Sequence, residues 1–229
     1  MIAITFALPA ESSAFLRNLS GKTTHNENGI ETVRGRIDDQ QIEVLHTGVG
    51  ETVCRQRMGL FLQDRQPTCL ISSGFAGAIT NQLQVGSVLL ARNFSTLAFV
   101  PSAAVQVAEL HTSATMLGSE EEREQIAKST GAAAVDMETK FIARACAEHA
   151  LPFLSLRVIS DSPAEPFPAP PEILFSIDRQ RPEFVKIGAF YLSRPHRAPA
   201  LLQFARRIAR ARKILAKTII DVVRNSNLP

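Results

Sequence analysis

Residues 1–16 read MIAITFALPAESSAFL, and the change of period inside this stretch decides the fold. Ile2 to Leu8 is a short apolar run bounded by Pro9, the signature of a buried strand. Pro9 pre-sets φ for a first helical turn, and Ala10 to Leu16 continue helically. A strand that feeds a helix through a short loop is the unit of α/β architecture. The same grammar recurs downstream. Gln41 to Thr47 reads as a strand ending at Gly48-Val49-Gly50, with a helix from Thr52 to Asp64. Cys69 to Ser73 reads as a third strand, ending in a turn at Gly74-Phe75-Ala76-Gly77-Ala78, and Val85 to Ala91 as a fourth. Ala132 to Val135 and Pro152 to Ile159 complete the strands. Glu138 to His149 is a helix, with Ile142, Ala145, Cys146 and His149 on one face. Ser162 to Pro171, with five prolines, is a loop, and Pro199 to Asn225 is a long helix. The expected fold is α/β, a three-layer αβα arrangement around a central mixed, mostly parallel sheet. Residues 1–193 are expected to form one domain, with 194–229 a basic helical extension packed on it.

Composition removes several classes. The chain has 229 residues, 45% hydrophobic and 21% charged, enough for a sizeable core. No apolar run approaches the length of a membrane span. The N-terminus lacks the basic start and long apolar stretch of a signal peptide, which points to the cytoplasm. Cys54, Cys69 and Cys146 are odd in number and scattered, as buried reduced thiols are. With no C-x-x-C and no H-E-x-x-H, no metal site and no cofactor are expected. Net charge is +3, unevenly spread. From Arg194 onward nine Lys/Arg face one Asp, whereas the preceding residues carry sixteen Lys/Arg against twenty-one Asp/Glu. Nothing in the acidic body resembles a nucleic-acid-binding module, so no nucleic-acid partner is expected.

Four motifs fall near the ends of the expected strands: Ala7-Leu8-Pro9-Ala10-Glu11, Ser73-Gly74-Phe75-Ala76-Gly77, Val135-Asp136-Met137-Glu138 and Arg157-Val158-Ile159-Ser160-Asp161. In open α/β sheets ligands bind beyond the carboxyl ends of the strands. In order and spacing these motifs resemble the nucleoside phosphorylase and nucleosidase superfamily, in particular the methylthioadenosine/adenosylhomocysteine nucleosidases, over about residues 1–162. The stretch Leu192-Ser193-Arg194-Pro195-His196-Arg197-Ala198-Pro199 and the basic helix after it resemble the hopanoid-associated phosphorylase branch. That second resemblance implies a lipid-linked adenosine as substrate.

Cleaving an N-glycosidic bond leaves positive charge on the sugar and negative charge on the departing base. Separate acidic groups suit the two halves of that problem, as in glycoside hydrolysis. On the resemblance, Asp161 is the general acid that protonates the purine, a step worth about 10²–10⁴-fold, and burial would have to favour its protonated form. Glu11 activates the attacking water. Glu138 accepts the ribose hydroxyls as an ionised, bidentate acceptor, and Met137 packs on the sugar. Gly77 lets backbone approach the ligand. Met116 lines the pocket, and Phe75 is expected among the substrate-binding residues. Arg157 is a buried electrostatic partner of the site, with Glu11 the expected counter-charge.

The chain departs from the family in three places. No arginine precedes the glycine-rich stretch, where phosphorylases grip phosphate, so hydrolysis is expected over phosphorolysis. Phe75 replaces a small hydroxyl residue, and Thr115 stands where a stacking phenyl ring is usual. These two motivate an alternative of another class, a non-catalytic nucleoside- or lipid-binding relative. The resemblance also implies a homodimer. The basic tail helix suggests peripheral contact with anionic lipid.

Overall fold

A computed structural model describes residues 1–99, 101–225 and 228; within the basic extension, residues 226, 227 and 229 lie outside it. The strands are β1 (Ile2–Phe6), β2 (Ser20–Glu27), β3 (Ile30–Ile37), β4 (Gln40–His46), β5 (Cys69–Ala78), β6 (Val88–Ala91), β7 (Val105–Ala108), β8 (Leu110–Thr112), β9 (Ala134–Asp136), β10 (Phe153–Asp161), β11 (Phe175–Ser176) and β12 (Arg181–Pro182). The helices are α1 (Pro9–Leu16), α2 (Glu51–Asp64), α3 (Glu120–Thr130), α4 (Thr139–Glu148), α5 (Pro171–Leu174), α6 (Phe184–Ser193) and α7 (Ala198–Asn225).

The main sheet runs β2-β3-β4-β1-β5-β10-β6-β7, with β9 bridging β5 and β8. Its centre, β4-β1-β5-β10, is parallel, and antiparallel pairs flank it. The expected mixed sheet between helical layers is therefore what forms. Alternation along β1 shows how: Ile2, Ile4 and Phe6 join Phe15 of α1 and Leu215 and Ile219 of α7 in one core. Ala3 faces the other way, with Cys54, Met58 and Phe61 of α2 and Ile142 and Cys146 of α4. All three cysteines are buried and free.

Two sequence expectations are corrected. Gly74 to Ala78 is not a turn. It extends β5 to ten residues, because Gly77 and Ala78 pair with Val135 and Ala134 of β9 while β10 runs along the other edge. The hairpin β2–β3 and the helix α3 have no counterpart among the expected elements. Yet α3 carries plain signals: Ser119 caps it by accepting from the Glu122 amide (3.2 Å), Glu122 reciprocates, and Gly131 ends it at φ 70°.

The tail helix divides in two. Ala211, Leu215, Ala216, Ile219, Val222 and Val223 are buried at three- and four-residue spacing, against α1, β5 and β10. Its first thirteen residues bury none. The apolar stripe expected to touch lipid is thus, over its second half, spent on the protein core. Among the described residues no helix is long and apolar enough to cross a membrane. Leu215→Ala is expected to cost about 2–5 kcal/mol in urea denaturation, whereas Leu202→Ala, on the exposed half, is expected to stay within about 0.5 kcal/mol.

Candidate active site

Three chain segments deliver acids to the same rim of the sheet. β1 ends at Phe6, and Pro9 starts α1 so that Glu11 falls in its first turn. Glu11 folds back over the strand end. Its Oε2 accepts from the amides of Ala7 (2.9 Å) and Leu8 (3.2 Å), and its Oε1 from the amide of Phe75 on β5 (3.2 Å). Burial lifts its carboxyl above the ordinary glutamate range, against the pull of those amides and of Arg157. Glu11 therefore does cap α1, as a first-turn acid would, and it also faces the cavity. Oε2 already accepts two bonds, whereas Oε1 accepts one and keeps lone-pair capacity for a further donor.

Asp161 ends β10. One extra residue, Ser160, separates the pair Ile159–Ala76 from the pair Asp161–Gly77, and this bulge aims the carboxyl at β5. Oδ1 accepts from Ser160 Oγ (2.6 Å), and Oδ2 is held by Arg123 of α3. Arg123 also donates to the carbonyl of Ala78. A Cβ on Gly77 would lie 2.8 Å from Asp161 Oδ2 and 3.1 Å from Arg123 Nη1. Glycine is needed at position 77 to admit this ion pair.

Glu138 sits between β9 and α4, with Oε1 accepting from the Gly50 amide at the start of α2 (2.9 Å). Burial, reinforced by the neighbouring Asp136 carboxylate, pushes its carboxyl up to about 8. Burial and Asp136 thus favour the protonated form of this carboxyl, against the ionised acceptor expected from the sequence.

These three acids line one cavity of about 350 Å³. Gly77, Phe75, Met116 and Met137 line it as well, as do Thr115 and the unanticipated Arg123. Arg157 is the exception. It does not line this cavity but lies buried behind it, beside a small recess shared with Glu11 and Glu138. Its ion-pair partner is Asp136 (3.0 Å), not Glu11, and it also donates to Ser72 Oγ (2.9 Å) and Thr139 Oγ1 (2.6 Å). On β10 Arg157 faces the α4 layer, where Asp136 and Thr139 lie. It braces the floor of the site and does not face the cavity. Arg123 escapes a reading of the sequence because α3 is rich in charge. Its position three and four residues before Ile126 and Ala127, on that helix's inward face, is the available signal. A larger groove of about 640 Å³ between α1, α7 and the β3–β4 turn holds only Asp38 and Asp221 as acids, both exposed.

The phosphorylase superfamily model matches residues 1–111 and 105–187, and the chain belongs to that superfamily. It is 25% identical over 196 residues to a 5′-methylthioadenosine/S-adenosylhomocysteine nucleosidase of Staphylococcus aureus, covering 70% of this chain and 86% of that one. Among solved structures, the S-adenosylhomocysteine nucleosidase of Streptococcus pyogenes superposes with a TM-score of 0.71 at 19% identity, over 100% of this chain and 97% of that one. The futalosine hydrolase of Helicobacter pylori gives 0.69 at 17% identity, over 97% and 96%.

The carboxyl of Glu138 supplies a pH prediction. Its folded value, about 8, lies above the ordinary 4.5, so its contribution to stability is full below about pH 4.5 and is lost as pH rises through 8. Melting curves of the unliganded protein should therefore show Glu138→Gln melting at least about 2–4 °C above the parent at pH 8.5, with the gap closing toward pH 5. A gap that does not depend on pH would contradict the assignment.

Proposed function

We propose that the chain is a purine nucleosidase that hydrolyses the N-glycosidic bond of an adenosine-type nucleoside. The convergence of Glu11, Glu138 and Asp161 on one cavity, from segments about 25 to 150 residues apart, carries this reading. In it, residues 1–193 are the catalytic domain and 194–229 its basic extension. Asp161 takes up a proton and passes it to the imidazole nitrogen of the purine as the bond to C1′ breaks. Arg123 holds the Asp161 carboxyl in place. Glu11, whose affinity for a proton is raised by burial, accepts the proton of the water that adds to C1′. Glu138 bonds the ribose hydroxyls from beside the Gly50 amide, Met137 packs on the sugar, and Phe75 and Met116 frame the base. Arg157 acts through Asp136 as a positioning residue.

Hydrolysis is preferred to phosphorolysis on electrostatic grounds. Arg123 is the one cation lining the cavity among the described residues, and Asp161 already neutralises it. A phosphate there would meet Glu11 and Glu138 instead of free guanidinium groups. The names of the relatives point the same way.

The mouth of the cavity is apolar. Leu8, Phe167, Leu174, Phe175, Phe204 and Ile208 line it, the last two from α7. This supports a nucleoside with an apolar, lipid-linked 5′ substituent. Peripheral contact of the C-terminal helix with membrane lipid belongs to the same proposal, supported by the basic tail. Homodimerisation is proposed on family membership.

Free base released from adenosine and methylthioadenosine, with and without phosphate, tests the reading. Release without phosphate is expected. Asp161→Asn should lower it about 10²–10⁴-fold while ligand binding changes little. Strict phosphate dependence would replace hydrolysis by phosphorolysis, unchanged turnover would remove Asp161 from the chemistry, and binding without release from any nucleoside would favour a non-catalytic relative.

A further inference from the structure

Residues 171–210, which run from the rim of the cavity through α6 into the first half of α7, contain no buried residue. That is anomalous for a stretch so apolar. α6 reads FVKIGAFYLS, and every one of its side chains is partly or fully exposed. Phe184 is 76% exposed, Val185 85%, Leu192 85% and, on α7, Leu202 53%. On α6, Val185 and Leu192 stand seven residues apart and so share one helical face, and large apolar side chains exposed in this way mark an interaction surface.

The segment is nevertheless held in place. Tyr191 Oη donates to the Pro168 carbonyl (3.2 Å), and the Glu183 amide donates to the Leu174 carbonyl (3.3 Å). Gln180 grips Val49 through both ends of its amide, at 2.6 and 2.8 Å. Phe167 and Phe204 meet edge to face at 5.8 Å beside the cavity mouth. Pro182, which lines the cavity, lies two residues before Phe184.

Charge decides the occupant. Residues 171–210 carry eight Lys/Arg against three Asp/Glu. Among the described residues, Arg181, Lys186, Arg194, Arg197, Arg206 and Arg210 take part in no ion pair. A second copy docked on this face about a two-fold axis would bring the same cationic segment against itself. An anionic bilayer surface offers apolar depth for Phe184, Val185, Leu192 and Leu202, and counter-charge for the surrounding guanidinium and ammonium groups.

We propose that α6 and the exposed half of α7 form a membrane-docking face for anionic lipid, which sets the mouth of the cavity against the bilayer. The face follows from exposure and charge. Its use, admitting a lipid-borne nucleoside from the membrane without passage through water, rests on the nucleosidase reading above. It also relocates the lipid contact, from the length of α7 to α6 and the first half of that helix.

Co-sedimentation of the full chain with vesicles of phosphatidylcholine alone, and of phosphatidylcholine mixed with phosphatidylserine, tests it. Binding is expected to the mixed vesicles only and to weaken with added salt. The combined variant Phe184→Ser, Val185→Ser, Leu192→Ser should bind at least about tenfold less. So should Lys186→Glu, Arg194→Glu, Arg206→Glu. None of these six residues lines the cavity, so both variants should melt like the parent and release base from water-soluble methylthioadenosine at the parent rate. Failure of the parent to bind mixed vesicles, or equal binding by parent and variants, would overturn the proposal. So would a variant that turns a dimer into a monomer with lipid binding unchanged. Vesicle binding as expected with no base release from any nucleoside would leave the face standing and remove the nucleosidase reading.

Discussion

Four buried carboxyls share two buried guanidinium groups at one rim of the sheet. Asp136 is paired with Arg157 and Asp161 with Arg123. Glu11 and Glu138 are left with backbone amides as their partners. These side chains are buried, and unit charges a few ångströms apart interact more strongly there than in bulk water. Four charged carboxylates opposite two cations are therefore costly. The burial raises the proton affinity of both groups, Glu138 up to about 8 and Glu11 above the ordinary glutamate range. Carboxyls with raised proton affinity beside ion-paired ones fit the proposed cleavage, whose two halves need opposite proton traffic.

The fold brings these groups together by register more than by loop design. β1, β5 and β10 are parallel neighbours, so their carboxyl ends reach one rim whatever lies between them in sequence. Small irregularities then do the aiming. The Ser160 bulge turns Asp161 toward β5, and Gly77 leaves room for the Asp161–Arg123 pair. Arg157 ties β10 to β5 and to the start of α4 through Ser72 and Thr139, so the floor beneath the cavity is braced by a network with few missing partners. Ser73 Oγ is a buried hydroxyl left without one.

Much of this is legible in the sequence because it is local. The apolar run before Pro9 marks β1 and α1, and the strand-end positions of Glu11, Glu138 and Asp161 mark the rim. What escapes is non-local. Arg157 pairs with Asp136 and not Glu11, and spacing along the chain gives no sign of that choice, which depends on the face of β10 that each residue occupies. Arg123 sits in a helix whose first turn is Glu-Glu-Glu, so it reads as surface charge until α3 is docked. The protonation of Glu138 depends on Asp136 two residues away and on the depth of burial, and depth is a property of the assembled layers. Gly74 to Ala78 reads as a turn because glycine usually punctuates; here it marks a close approach inside a strand.

The central claim is that the three acids act as one site on one nucleoside. Carboxyl carbon-13 resonances, assigned by comparison with Glu11→Gln, Glu138→Gln and Asp161→Asn, follow it directly during titration with a non-hydrolysable adenosine analogue. All three resonances are expected to shift together along a single binding curve, with Glu138 losing its proton near neutral pH as the ribose hydroxyls arrive. Shifts confined to one carboxyl, or three curves with different midpoints, would contradict the account.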